Sequence, residues 1–204
     1  MFQVLRDCAL PGIAARAQQE GRTACIWSAG CASGEEPYTL KILWNLDVGR
    51  SHPGVPLSII ATDVDRAMLT RAQKGCFAAT SLRELPLPFF QEAFDPAGPL
   101  YCVKPQHREG IIFLHQDLRL EAPPGPFDLV LCRYAAFTYF ALPLQKQALS
   151  RLLERLLPDS YLAIGGKERL PCDVAALVPM AGAPQIYQIG KKITREILTS
   201  ASLH

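Results

Sequence analysis

The stretch Ser28-Ala29-Gly30-Cys31-Ala32-Ser33-Gly34-Glu35-Glu36-Pro37 sets small residues between an apolar run and a helical pattern. Gly30, Ala32 and Gly34 allow close approach of the backbone to a ligand, and amides at a helix start suit an electron-rich group. Ser33 followed three residues later by Glu36 reads as a capping box that starts the helix. Neither the G-x-x-x-x-G-K-S/T pattern of a triphosphate site nor the G-x-G-x-x-G of a dinucleotide site is present. Glu35 and Glu36 would repel a pyrophosphate, so a ligand with a cationic or zwitterionic end fits better. Taken alone, the turn is equally a plain strand-to-helix connection.

Two acidic positions add weight. Asp63 directly follows the apolar run 57–62, where a carboxylate can accept both hydroxyls of a ribose. It could instead cap the next helix, but Asp65 can supply that cap. Gln116-Asp117-Leu118 follows the run 111–114 and could meet an adenine ring, though by itself Asp117 is an ordinary acidic loop residue. His115 is the histidine at a strand end and reads as a loop residue.

These positions need elements to hold them. Residues 2–17 have a helical pattern, with a break expected at Pro11 and Gly12. Runs 24–28, 57–62, 111–114, 127–132, 161–164 and 185–189 read as strands, with a further one at 100–103. Helices are expected at 37–46, 65–74, near 89–94 and at 144–157, with Gly75 stopping the second. Near-continuous apolar strands alternating with helices predict a mostly parallel sheet covered on both faces. Ligands bind such sheets outside the carboxyl ends of the strands, which is where the three acidic or glycine-rich turns fall.

Composition bounds the class. With 204 residues, 49% hydrophobic and 20% charged, the chain can bury one substantial core and is not wholly disordered. Lys plus Arg is 21 against 19 for Asp plus Glu, and a net charge of +2 argues against a nucleic-acid binder. The charge-free run 134–144 is too short to span a membrane and is broken by Pro143, and residues 1–12 carry no basic leader. Seven cysteines without a C-x-x-C pair and four scattered histidines read as free thiols in a reducing cytoplasm, with no metal site.

The segments together resemble the chemotaxis-receptor glutamate methyltransferase family, often written CheR. Its W-S-A-x-C-S-T-G-E-E-P-Y pattern is similar to Trp27-Ser28-Ala29-Gly30-Cys31-Ala32-Ser33-Gly34-Glu35-Glu36-Pro37-Tyr38. Ala61-Thr62-Asp63-Val64-Asp65 resembles A-T-D-I-D. Phe127-Asp128-Leu129-Val130-Leu131-Cys132-Arg133, followed by Tyr139-Phe140, resembles F-D-L-I-L-C-R-N with its Y-F. Leu162-Ala163-Ile164-Gly165 with Glu168 matches L-x-x-G-x-x-E.

The resemblance implies an α/β fold: a doubly wound, Rossmann-like, mostly parallel methyltransferase sheet over residues 1–204, with a small β-subdomain inserted around 76–109. It implies S-adenosylmethionine as cofactor and S-adenosylhomocysteine as product. Ala29, Gly30, Cys31, Gly34 and Glu35 would face the methionine part, Asp63 the ribose, and Asp117 with Leu118 the adenine. Arg133 and Tyr134 would lie beside the cofactor, with Arg133 and Tyr139 as the catalytic pair. The implied partner is a chemoreceptor or other protein glutamate, and in some members the inserted subdomain binds a receptor tail.

The sequence also departs from the family. An all-helical domain ending in N-E-T-x-F-F-R precedes this one in the family. Residues 2–11 resemble the helix after that motif, so Arg6 is not its arginine. Tyr134 stands where the family has asparagine, and Pro158-Asp159-Ser160 where it has P-G-G. These departures leave the cofactor reading intact and open the acceptor. A small-molecule methyltransferase, or a weakly active or non-catalytic cofactor-binding module, are the alternatives, and the expectation is cofactor binding with slow transfer, or none, to protein glutamate.

Overall fold

The computed structural model describes residues 1–82 and 85–190, so His204 lies outside the described residues. The strands are β1 (Ala24–Ala29), β2 (Leu57–Asp63), β3 (Cys76–Phe77), β4 (Phe94–Ala97) and β5 (Leu100–Val103). They continue as β6 (Ile111–His115), β7 (Phe127–Cys132), β8 (Leu156–Ile164), β9 (Leu177–Met180) and β10 (Ala183–Ile189). Among the described residues, seven of them form one sheet in the order β6-β2-β1-β7-β8-β10-β9. β6 through β8 are mutually parallel, and β10 and β9 close the far edge in antiparallel fashion.

Alternation along the central strands sends side chains into two apolar layers. Ile26, Leu129, Leu131 and Ala163 pack against the helix Leu10–Gln19 and the helix Glu35–Leu43. Trp27, Val130, Leu162 and Ile164 pack against the helix Leu142–Leu153. Each fully buried leucine or isoleucine contributes about 1.5–3 kcal/mol, so the two layers rather than helix propensity hold the sheet. No helix among the described residues is long and apolar enough to cross a membrane.

At the amino ends of the strands Asp128 is fully buried. Its carboxylate accepts two bonds from Arg22 at 2.7 and 2.8 Å, one from Arg16 at 2.7 Å and the Cys25 N–H at 3.0 Å. Burial pushes its carboxyl up, but these donors outweigh burial and hold it below the usual aspartate range.

Several expectations are corrected. The helix does not break at Pro11 and Gly12. It widens into a π turn at Leu5–Ala9, where Leu10 N–H donates to the Leu5 carbonyl, and continues as Leu10–Gln19. Proline lacks an N–H and crowds the carbonyl four residues back, and the wider turn accommodates both defects. The helix expected at 144–157 ends at Leu153, because residues from Leu156 onward are taken up as β8 alongside β7. β9 carries Pro179 and sits at the sheet edge, where a missing N–H is tolerated.

The cysteine reading is also corrected. β3, β5 and β4 form a separate antiparallel sheet in which Cys76 is paired directly with Cys102, and the two are joined as a disulfide. Opposed positions on antiparallel strands bring two Cβ atoms within bonding reach, a proximity that spacing along the chain does not reveal. Cys8, Cys25, Cys31, Cys132 and Cys172 are free thiols.

Candidate functional site

A cavity of about 500 Å³ opens at the carboxyl ends of β1, β2, β6 and β7. Its walls are the turns that follow these strands: Gly30 and Ala32, Thr62 and Asp63, Gln116 to Leu118, and Tyr134 with Ala135. β1 and β7 are neighbours in the sheet although distant in sequence, which is the switch point where such folds leave a crevice.

The first turn is folded tightly onto its neighbours. Gly30 N–H and Cys31 N–H both donate to the Thr62 carbonyl, at 2.8 and 3.0 Å. Gly30 is in the left-handed region with φ +76, and a Cβ there would come within 2.6 Å of the Ala135 Cβ. Ala32 N–H donates to Asp63 Oδ2 at 2.8 Å, and Asp65 N–H to Asp63 Oδ1 at 2.8 Å. Each of these carboxylate oxygens keeps a second lone pair for a ligand hydroxyl. Asp65 caps the next helix by accepting from Ala67 and Met68 N–H, so Asp63 is not needed for that task.

The capping box at Ser33 and Glu36 does not form. Gly34, with φ +93, precedes the helix Glu35–Leu43, and the Ser33 hydroxyl donates to the Glu35 carboxylate at 2.8 Å. Glu36 turns inward instead, accepting from Ser28 Oγ at 2.6 Å and from Arg133 at 3.0 Å. Burial pushes the Glu36 carboxyl up, while Arg133 and Ser28 pull it back toward the ionised form. A partly buried carboxylate–guanidinium pair outweighs one helix cap, and it neutralises much of the Glu36 charge toward any ligand.

Arg133 is thereby fixed, with Phe2 and Tyr134 rings 5.2 and 5.5 Å from its guanidinium carbon. It lines a second cleft of about 410 Å³ with Cys31, Glu35 and Thr39, and Gly30, Ala32 and Tyr134 border both spaces. Cys31 is buried, and its burial pushes the thiol up so that it stays protonated. Ala29 and Gly34 line neither space. Ala29 is fully buried in the core, and Gly34 is packed on Ala72.

Asp117 and Leu118 lie in the cavity wall, where Arg119 grips the Asp117 carboxylate at 2.5 Å and holds its carboxyl below the usual range. Tyr139, 77% exposed, lies at the cavity mouth beside Phe140. His115 contacts the Val64 carbonyl at 3.0 Å and does not line the cavity. Val64, Arg119, Ala135 and Phe140 are wall residues that the sequence reading missed. Arg119, two residues beyond Asp117, carried the clearest signal, an opposite charge across a short turn.

Comparison with known proteins gives a family and several relatives. The family described as CheR methyltransferase, SAM binding domain, matches residues 1–186. A chemotaxis protein methyltransferase of Listeria innocua is 35% identical over 145 residues, covering 71% of this chain and 53% of that protein. Chemotaxis protein methyltransferase 1 of Pseudomonas aeruginosa is 34% identical over 176 residues, covering 83% of this chain and 62% of that protein. An uncharacterized 104.1 kDa protein of Rhodobacter capsulatus is 37% identical over 150 residues, 74% of this chain but 16% of that protein. The chain thus spans between 16% and 62% of the length of these curated relatives. Among solved structures, the glycopeptide N-methyltransferase MtfA complexed with S-adenosyl-L-homocysteine has a TM-score of 0.45 at 10% identity, covering 76% of this chain and 47% of that one.

Proposed function

The chain belongs to the CheR methyltransferase family by its match to that family's SAM-binding domain, and from that premise we propose that it methylates a carboxylate, a protein glutamate of the chemoreceptor type. The observation that carries the reading is the cavity at the strand ends with Asp63 on its wall, tied by Ala32 N–H to the small-residue turn. The residues present fit the cofactor. A Cβ at Gly30 would fill the cradle against Ala135, and the Asp63 carboxylate suits a pair of ribose hydroxyls. When bound, S-adenosylmethionine supplies a methyl group activated on a sulfonium sulfur.

In this reading Asp63 accepts the ribose hydroxyls, and Asp117 with Leu118 flanks the adenine. Gly30, Cys31 and Glu35 border the methionine end, while Ala29 and Gly34 act from beneath by shaping the turn. Tyr134 stands between the cavity and the second cleft, where the acceptor would enter beside Arg133. Tyr139, at the cavity mouth, would lie near the methyl group. A carboxylate acceptor is ionised at neutral pH, so the protein must align it but need not deprotonate it.

Residues 76–109, which carry the β3-β5-β4 sheet, form the inserted subdomain of this reading and the surface for a receptor tail. A cytoplasmic location goes with the chemoreceptor-type acceptor of this reading, and the Cys76–Cys102 disulfide, uncommon in a reducing compartment, counts against it. The test incubates the chain with radiolabelled S-adenosylmethionine and a chemoreceptor cytoplasmic fragment and measures methanol released by base. Base-released label supports carboxyl methylation, whereas label that resists base points to an amine acceptor and overturns it.

A further inference from the structure

We propose that Glu168 is a positioning residue that holds the Tyr134–Tyr139 wall of the cavity in place, an inference that rests on the cofactor reading above. Glu168 follows β8 and borders a different surface cleft from the cavity. Its carboxylate nevertheless joins the two turns beyond β7 and β8. Oε2 accepts Gly165 N–H at 2.6 Å and Tyr134 N–H at 2.9 Å, and Oε1 accepts the Thr138 hydroxyl at 2.5 Å.

The anchored segment is held in an unusual conformation. Tyr134 has φ +52, in the left-handed region that a tyrosine rarely enters without restraint. Its hydroxyl accepts Gly166 N–H at 3.3 Å, so backbone and ring are both fastened to the β8 turn. Gly165 makes room for this arrangement, since a Cβ there would lie 2.6 Å from Glu168 Oε2 and 2.7 Å from the Tyr134 ring.

From Glu168 the contacts run directly to the cavity. Tyr134, Ala135 and Tyr139 line it, and Ala135 is the residue that packs against Gly30. Removing the carboxylate unties the Tyr134 N–H and the Thr138 hydroxyl from the β8 turn and leaves the part-buried Gly165 N–H without its acceptor, so the wall can relax away from the first turn. A carboxylate suits the position because all three partners can donate to it. Glutamine can keep the two backbone bonds with its carbonyl and give its NH2 to the Thr138 oxygen, whereas alanine keeps none.

The experiment measures S-adenosylhomocysteine binding by calorimetry and Tm for the intact chain. The variants are Glu168→Ala, Glu168→Gln and Thr138→Val, with Asp128→Asn as a destabilised control at the opposite end of the strands. Hydrogen bonds to a charged group are strong enough that Glu168→Ala should weaken binding about tenfold or more. Glu168→Gln should restore most of the affinity, Thr138→Val should fall between, and Asp128→Asn should lose stability while keeping affinity.

Unchanged affinity in Glu168→Ala overturns the proposal. So does an affinity loss in Asp128→Asn that matches its loss of stability, because the effect at Glu168 would then be general destabilisation. Should Glu168→Ala fail to fold, Thr138→Val decides, and wild-type affinity there overturns the proposal. An unaltered chain that does not bind S-adenosylhomocysteine overturns the cofactor reading itself, an outcome distinct from any difference among variants.

Discussion

Asp63 Oδ2 accepts the backbone N–H of Ala32 at 2.8 Å across 31 residues of sequence. One carboxylate therefore shapes the small-residue turn and presents its remaining lone pairs on the cavity wall. The end of β2 and the turn after β1 are one unit, reinforced by the two amides that donate to the Thr62 carbonyl.

Asp63→Asn is expected to weaken S-adenosylhomocysteine binding. An amide oxygen can serve Ala32 N–H or Asp65 N–H, but not both with the charge that strengthens them. Bonds to a charged acceptor are worth about 1.5–3 kcal/mol, so calorimetry should show about a tenfold or greater loss. An unchanged dissociation constant would reduce Asp63 to a link between two turns.

Gly30→Ala should be worse for both stability and binding. The left-handed backbone costs a non-glycine residue about 1–2 kcal/mol. The new methyl would also sit 2.6 Å from the Ala135 Cβ, forcing the two turns apart. A fall in Tm of about 2–8 °C is expected for a chain of this size, with at least tenfold weaker cofactor binding. Wild-type affinity in a folded Gly30→Ala protein would show that the turn does not border the ligand.

His107 gives the stability of the chain a pH dependence. The ring is 2% exposed, and Asn45 Nδ2 lies 3.1 Å from its Nδ1. Burial, the main cause, pushes the imidazole below its ordinary value of 6.5, with Glu92 opposing and Lys104 and Lys41 assisting. The unfolded chain then takes up a proton that the folded chain refuses, so stability is full above about 6.5 and falls as pH drops below it. Urea unfolding at pH 7.5 and 5.5 should show a drop that His107→Gln reduces. Equal slopes for the two proteins would contradict this.

The disulfide is countable. Thiol titration of denatured, unreduced protein should find five thiols, and reduction should raise the number to seven by opening Cys76–Cys102. Seven before reduction would show that the pair is not joined in the folded protein.

What the sequence by itself determined is whatever depends on short stretches of chain. Ala24–Ala29 and Phe127–Cys132 are mostly apolar runs buried on both faces, as central parallel strands require, and Gly30 after β1, Asp63 at the end of β2 and Asp117 after β6 stand in plain view. Asp65 as the helix cap and Gly75 as the helix stop are likewise local, since each acts on amides or carbonyls within a few residues.

Other features were decided by the tertiary structure alone. Glu36 could have closed a capping box three residues away, but folding offers it Arg133 from 97 residues away, a charged partner stronger than one amide. Asp128 draws Arg22 from 106 residues away and Arg16 from 112, and Cys76 meets Cys102 because two strands lie in register. Glu168 stands in a short motif with Gly165, a local donor, but its bonds to Tyr134 and Thr138 exist only once β7 and β8 lie side by side. Burial and distance set the strength of such pairings, and both exist only once the sheet has brought remote segments together.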